Sequence, residues 1–123
     1  MSGGGGGLRR TGALRLEAQA EGDVVHVALE GELDLAGRRT LLDLVAAQPL
    51  EGRHLHLDLS GLSFMDSTGC RALLELRAAE DGRGGAPMVV TAARTGAVQR
   101  LLQLTGLAGA LSVDWVEVDD DAG

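Results

Sequence analysis

The sequence predicts an α/β domain built on a mixed sheet of four to five strands, with helices packed mainly on one face. Two observations lead to this prediction. The opening segments 14–19 and 24–30 alternate apolar and polar residues as half-buried strands do. After them, segments with helical spacing and segments with strand patterning follow one another, which is typical of strands joined by helical crossovers.

Length and composition favour one domain. The chain has 123 residues, of which 45% are hydrophobic, and this size suits a single sizeable core. We expect a flexible Gly-rich leader over 1–12, the folded domain over 13–118 and an acidic tail over 119–123. The longest apolar runs are far shorter than the roughly 20 residues that cross a bilayer. We therefore predict no direct membrane insertion and, without a secretory signal, a cytoplasmic location.

The first half of the domain is predicted to form a hairpin, a helix and a strand. A short turn-rich link at 20–23 joins the two opening strands. Asp34 is a good N-cap for a helix over 35–48, and Pro49 ends that helix. The next segment, 53–59, alternates again and is predicted to be a strand.

The second half continues the alternation of helices and strands. The predicted segments are a helix near 67–80, a loop over 81–85, a strand over 87–91, a helix over 95–105 and a strand over 111–118. The helix over 95–105 has the clearest pattern, because its apolar residues repeat at i, i+3, i+4 and i+7. Gly106 follows it and is expected to end it.

Strand alternation also predicts two unlike faces of the sheet. The apolar face would carry Val25, Val27, Leu29, Leu55, Leu57 and Leu59, and the opposite face would carry His26, His54, His56 and Asp58. The spacing His-x-His-x-Asp could place three metal ligands on one strand face. Because nothing in the sequence supplies a supporting second shell, we predict instead a solvated polar face without metal and without helical cover.

Residues 64–69, FMDSTG, place an acid, two hydroxyls and a glycine between a strand and a helix. Asp66, Ser67 and Thr68 are all common N-cap residues, so capping alone could explain them. A glycine such as Gly69 in a first helical turn either allows a close backbone approach or is neutral filler. Cys70 is predicted to be a small core residue, with a reactive thiol as the alternative.

Several function classes are disfavoured by what the sequence lacks. The formal charge is -7 and the chain has no lysine, whereas phosphate backbones are bound by clustered basic residues, so we predict no nucleic-acid partner. The hydrolase elbow G-x-S-x-G, the P-loop and the dinucleotide fingerprint are all missing. We therefore predict that the protein is not an enzyme, has no catalytic residues and needs no cofactor.

Four motifs together carry a family resemblance. They are GELD at 31–34, LDLSGLSFMDSTG at 57–69, GGAPMVV at 84–90 and VQRLLQLTGL at 98–107. In this order and spacing they resemble STAS domains, and closely resemble the bacterial anti-sigma factor antagonists, over roughly 12–118. The resemblance implies a single STAS domain whose function is partner switching. In that family a serine at a helix start is phosphorylated by an anti-sigma factor with serine kinase activity, and a metal-dependent serine phosphatase removes the phosphate.

Applied to this chain, the resemblance implies phosphorylation at Ser67 and a partner-binding surface formed by Asp34, Asp66, Ser67, Thr68 and Gly69. The unphosphorylated protein would bind the anti-sigma factor and release its sigma factor, and phosphorylation would switch binding off. The alternative is a STAS binding module of a lipid or anion transporter complex, in which the serine need not be phosphorylated.

Overall fold

The computed structural model of the chain describes residues 6–84 and 87–118. Within these ranges the strands are β1 (Gly6–Thr11), β2 (Leu14–Glu21), β3 (Val24–Leu33), β4 (His54–Met65), β5 (Val89–Ala93) and β6 (Asp114–Val116). The helices are α1 (Leu35–Ala46), α2 (Ser67–Arg83), α3 (Ala97–Leu104) and α4 (Leu107–Ala110).

All of these strands belong to one mixed sheet in the order β1-β2-β3-β4-β5-β6. The first three strands pair antiparallel, and β3, β4, β5 and β6 pair parallel. The predicted α/β class with a mixed sheet is confirmed, as is the opening hairpin. The predicted number of four to five strands is too low, because the sheet has six.

The additional strand is β1, which lies in the segment predicted to be a flexible leader. That prediction is wrong for residues 6–12, because β1 pairs with β2 along its whole length and Gly12 turns between them. Glycine offers no side chain to pack on a pleated surface, so the pattern of this segment does not indicate a strand. Its backbone ladder with β2 forms nonetheless. The rest of the predicted leader, 1–5, and the acidic tail, 119–123, lie outside the described residues.

The core lies between one face of the sheet and the helices, as predicted. Six alternating residues of β3 and β4 are at most 1% exposed: Val25, Val27, Leu29, Leu55, Leu57 and Leu59. The helices bury their apolar residues in the same cluster, including Leu41, Leu44, Val45, Leu73, Leu76, Val98 and Leu102. On the opposite face His26 is exposed, and His54, His56 and Asp58 are half-buried.

Strand β4 is longer than the predicted strand at 53–59, because it continues to Met65. Its register with β3 shifts twice, first near Gly61 and again near Phe64. After Leu59 the buried positions are therefore Leu62 and Met65 rather than every second residue. The extra residues break the period of two, so the alternation pattern ends before the strand does.

The remaining boundaries differ from prediction by a few residues. Helix α2 continues to Arg83, so the predicted loop over 81–85 is helical at its start. Gly84 ends the helix in the left-handed conformation with φ 78°. Gly106, with φ 80°, follows α3 as predicted. Strand β6 is shorter than the predicted segment 111–118.

Candidate functional site

The parallel pairing of β3 and β4 brings the two predicted acidic residues to one edge of the sheet. Leu33 and Met65 are paired as the last residues of their strands. The backbone N–H of Asp66 donates to the Leu33 carbonyl oxygen at 3.2 Å. Asp34 and Asp66 therefore leave neighbouring strands at the same edge, and each begins a helix.

The GELD motif at 31–34 is explained by local geometry. Gly31 has φ 99°, and a Cβ there would lie 1.9 Å from the Ala13 carbonyl oxygen, so only glycine fits. Leu33 is fully buried. Asp34 caps α1, because its Oδ1 accepts the backbone N–H of Ala36 at 3.1 Å.

Asp66 caps α2 with a fuller set of hydrogen bonds. Its Oδ1 accepts the backbone N–H groups of Thr68 at 3.0 Å and Gly69 at 3.2 Å. The same oxygen accepts the Thr68 hydroxyl at 2.6 Å. The Thr68 hydroxyl is the largest cause that lowers the pKa of Asp66, and the backbone donors add to it against the opposing effect of burial. Asp66 is therefore a fixed negative charge at neutral pH.

Ser67 differs from its neighbours because its side chain is exposed. It is the first residue of α2, and among the described residues its hydroxyl has no hydrogen-bond partner. Capping is carried by Asp66 and supported by Thr68. The Ser67 hydroxyl is thus not needed to cap the helix and is accessible to an incoming group.

Gly69 and Cys70 point into the domain. A Cβ on Gly69 would lie 2.5 Å from Met65 Cγ and 3.1 Å from the Leu33 carbonyl oxygen, so glycine lets α2 pack tightly on the strand ends. This packing accounts for Gly69 without a partner, and its predicted place in a partner-binding surface stays a prediction. Cys70 is 7% exposed. Burial, followed by the charge of Asp66, raises the pKa of its thiol, as expected for a core cysteine.

A surface cavity of about 230 Å³ adjoins Ser67, between the N-terminal halves of α1 and α2. Its lining residues are Leu35, Arg38, Ser67, Thr68, Arg71 and Glu75. Leu35 is 70% exposed, and Phe64, just before the Asp66 cap, is 43% exposed. These two apolar residues and the two arginines are not among the site residues predicted from the sequence. The sequence offered one signal for Leu35. It is an apolar residue that directly follows a helix cap and does not lie on the apolar side of the helix.

Known proteins resemble this chain over most of its length. The model of the family described as "Mlab, STAS domain" matches residues 16–114. The chain belongs to the STAS domain family. A crystal structure of an anti-sigma factor antagonist from Mycobacterium paratuberculosis is 27% identical, with a TM-score of 0.62, over 89% of this chain and 90% of that chain. The anti-sigma factor antagonist SpoIIAA in its unphosphorylated form is 15% identical, with a TM-score of 0.57, over 87% and 92% of the two chains, and shares the fold.

The polar sheet face of this STAS domain lies away from the helices. His56 Nε2 is 2.8 Å from Thr91 Oγ1, and the His26 and His56 rings lie 5.1 Å apart. Burial, followed by the neighbouring His26, lowers the pKa of His56. Over 6–84 and 87–118, no three His, Cys, Asp or Glu residues are grouped to hold a metal ion. Nor does any helix in these ranges have the length and apolar character needed to cross a membrane.

Proposed function

We propose that this STAS domain is an anti-sigma factor antagonist that is switched by phosphorylation of Ser67. The observation that carries the proposal is the exposed Ser67 at the start of α2, whose hydroxyl has no hydrogen-bond partner among the described residues and lies beside the carboxylate of Asp66. The similarity to a solved anti-sigma factor antagonist over 89% of the chain supports the choice of partner. In its unphosphorylated form the protein would bind an anti-sigma factor with serine kinase activity and free the sigma factor.

Phosphorylation would switch binding and leave the fold intact. A phosphoserine carries about 1.5 to 2 negative charges at pH 7, and the first turn of a helix favours an anion. Because Ser67 is exposed and holds no internal hydrogen bond in the described structure, the added group displaces nothing in the core. At the centre of an interface the same charge brings a desolvation cost and repulsion from nearby acids, so association weakens.

The proposed partner surface surrounds Ser67. Asp66 supplies negative charge directly before it, and Asp34 supplies negative charge at the end of the neighbouring strand. Thr68 is half-buried next to it. The exposed side chains of Leu35 and Phe64 add apolar area. Apolar anchors that become buried in a complex contribute much of the binding energy of protein interfaces, so this edge of the sheet suits a protein partner. A binding role of this kind needs no catalytic residue, no cofactor and no nucleic acid. It would be carried out in the cytoplasm.

Phosphopeptide mapping tests the proposal. The full chain is incubated with ATP and with candidate anti-sigma factors that have serine kinase activity, and label is expected on the peptide that contains Ser67. Ser67→Ala should take no label and should capture the anti-sigma factor constitutively. A metal-dependent serine phosphatase should remove the label and restore capture by the wild type.

A matched variant separates the two hydroxyls. Thr68→Val leaves Ser67 in place and should still be labelled, whereas label on Thr68 alone would move the assignment by one residue. If no kinase labels the protein and Ser67→Asp binds an anti-sigma factor as wild type does, the switch is rejected. The alternative of a STAS module in a lipid or anion transporter complex, which needs no phosphoserine, then stands.

A further inference from the structure

Two arginines line the same cavity as Ser67. Arg38 reaches it from α1 and Arg71 from the first turns of α2. Arg71 is exposed and forms no ion pair among the described residues. The lining also includes the Glu75 carboxylate, so its two cations exceed its acidic groups by one, and this excess suits a group carrying several negative oxygens at Ser67.

The ion pair of Arg38 with Glu75 leaves hydrogen-bonding capacity unused. One terminal nitrogen of Arg38 contacts Oε2 of Glu75. Within the described structure, Nε of Arg38 and Oε1 of Glu75 are buried and have no hydrogen-bond partner. Guanidinium and carboxylate groups pair best through two parallel hydrogen bonds, and a buried polar atom without a partner is unfavourable. In the described structure, Nε of Arg38 is therefore a donor that the present geometry of the ion pair leaves without an acceptor.

We propose that a phosphate on Ser67 is held by Arg38 and Arg71, and that Arg38 gives up Glu75 to bind it. This inference rests on the proposed phosphorylation of Ser67. A phosphoserine brings three strong acceptor oxygens to the cavity. They can accept hydrogen bonds from both a terminal nitrogen and Nε of Arg38. The step exchanges one ion pair for another and breaks no covalent bond.

The exchange would change the surface at two places. Arg71, which forms no ion pair within the described structure, becomes bound to the phosphate and can no longer pair with an acidic group of the partner. Glu75 loses its cation and presents an unpaired carboxylate eight residues further along α2, which is about 12 Å at 1.5 Å per residue. The phosphate thus alters a wider part of the partner surface than Ser67 alone.

Titration of the phosphate by ³¹P NMR tests this inference without any kinase. Phosphoserine is installed at position 67 of the full chain during translation, and the second pKa of the phosphate is measured. We expect a value below the roughly 6 of an unperturbed phosphoserine. Arg38→Gln should raise it by about 0.5 to 1 unit, less than the shift of about 1 to 3 for a close buried pair, because the cavity is open to solvent. Arg71→Gln should also raise this pKa. Because Arg71 is exposed, the variant should fold normally.

Arg39→Gln is the matched control. It removes the same charge from the adjacent position of α1, but Arg39 is 75% exposed and faces Asp43 at 3.8 Å rather than the cavity. Equal titration midpoints in wild type, Arg38→Gln, Arg71→Gln and Arg39→Gln would overturn the inference. Failure of the proposed function has a different signature: the phosphoserine protein would still capture the anti-sigma factor, whatever the midpoints.

Discussion

The Thr68 hydroxyl donates a 2.6 Å hydrogen bond to the Asp66 carboxylate, while the Ser67 hydroxyl between them makes none in the described structure. Two adjacent hydroxyls at one helix start are thus in different chemical states. Thr68 has its hydroxyl proton engaged with a carboxylate and helps to fix the cap. Ser67 keeps its oxygen accessible, which agrees with its proposed role as the modified residue.

The Asp66 cap predicts a pH-dependent loss of stability in variants of this helix start. Asp66→Ala removes an N-cap and should lower the free energy of unfolding by about 1 kcal/mol at pH 7. Because hydrogen bonds lower the pKa of Asp66 in the folded state, its contribution is present above the unfolded value of about 3.9 and is lost as pH falls through the folded value. Urea unfolding at pH 7 and pH 3 should therefore show a smaller difference from wild type at the lower pH.

The two hydroxyls provide a control for this measurement. Thr68→Val should lose part of the same stability, because the donor to Asp66 is gone. Ser67→Ala should keep the free energy of unfolding within about 0.5 kcal/mol of the wild-type value, as most surface substitutions away from structural contacts do. A Ser67→Ala variant as destabilised as Thr68→Val would show that the free hydroxyl has a structural role after all.

Gly69 should be far more sensitive to substitution than another glycine of the same helix. Gly69→Ala forces a Cβ to within 2.5 Å of Met65 Cγ and 3.1 Å of the Leu33 carbonyl oxygen. We expect a loss of about 1 to 3 kcal/mol, as for other overpacked sites. At Gly82 a new Cβ would have none of the surrounding atoms within 4 Å. Gly82→Ala should therefore raise the free energy of unfolding by up to about 1 kcal/mol through helix propensity. Thermal melts that rank the two variants the other way would contradict the tight packing at Gly69.

The fold could be predicted from the sequence wherever side chains repeat with a regular period. The alternation in β3 and the first half of β4 correctly assigned the two sheet faces, from Val25 to Leu59. It failed where backbone geometry decides the structure. Two register shifts interrupt the alternation before β4 ends. The glycine-rich segment pairs with β2 through its backbone, although its side chains have no strand-like pattern.

The candidate site was only partly predictable for a related reason. Asp34 and Asp66 could be found because each is a cap residue at a predicted helix start. Arg38 and Arg71 could not, because their position beside Ser67 depends on how α1 and α2 pack. A charged residue on an amphipathic helix has the same sequence pattern whether it faces solvent or a neighbouring helix.

The polar sheet face should make stability depend on pH near neutrality. A histidine with a lowered folded-state pKa resists protonation, so the stability associated with His56 is complete above about 6.5 and is lost as pH falls towards the folded value. His56→Gln should therefore lose less stability than wild type between pH 7 and pH 5. His26→Gln, which removes only the second cause of the shift, should lie between them. Parallel pH profiles for wild type and His56→Gln in urea unfolding would refute this assignment.

We also predict that this face binds no zinc. His26, His54, His56 and Asp58 are spread along two strands. His56 is 2.8 Å from the Thr91 hydroxyl, a contact that binding a metal through the same nitrogen would break. Calorimetric titration with zinc should give no stoichiometric binding at micromolar concentration. The prediction fails if such binding is found and is abolished by His54→Ala.

The last prediction separates the two roles proposed for Asp34. Its side chain accepts the backbone N–H of Ala36, and asparagine is as good an N-cap as aspartate. Asp34→Asn should therefore melt close to wild type, whereas Asp34→Ala should lose about 1 kcal/mol. The asparagine variant nevertheless removes a negative charge from the edge that carries Ser67.

If Asp34 contributes to the partner surface, Asp34→Asn should change the affinity for the anti-sigma factor or the rate of Ser67 phosphorylation while stability is kept. Asp43→Asn is the charge control, because Asp43 lies on the same helix, is 67% exposed and faces Arg39. Affinity is measured by calorimetry and phosphorylation by intact mass over time. Should Asp34→Asn match Asp43→Asn and wild type in both assays, Asp34 acts only as a helix cap, and the partner surface is confined to the start of α2 and its neighbours.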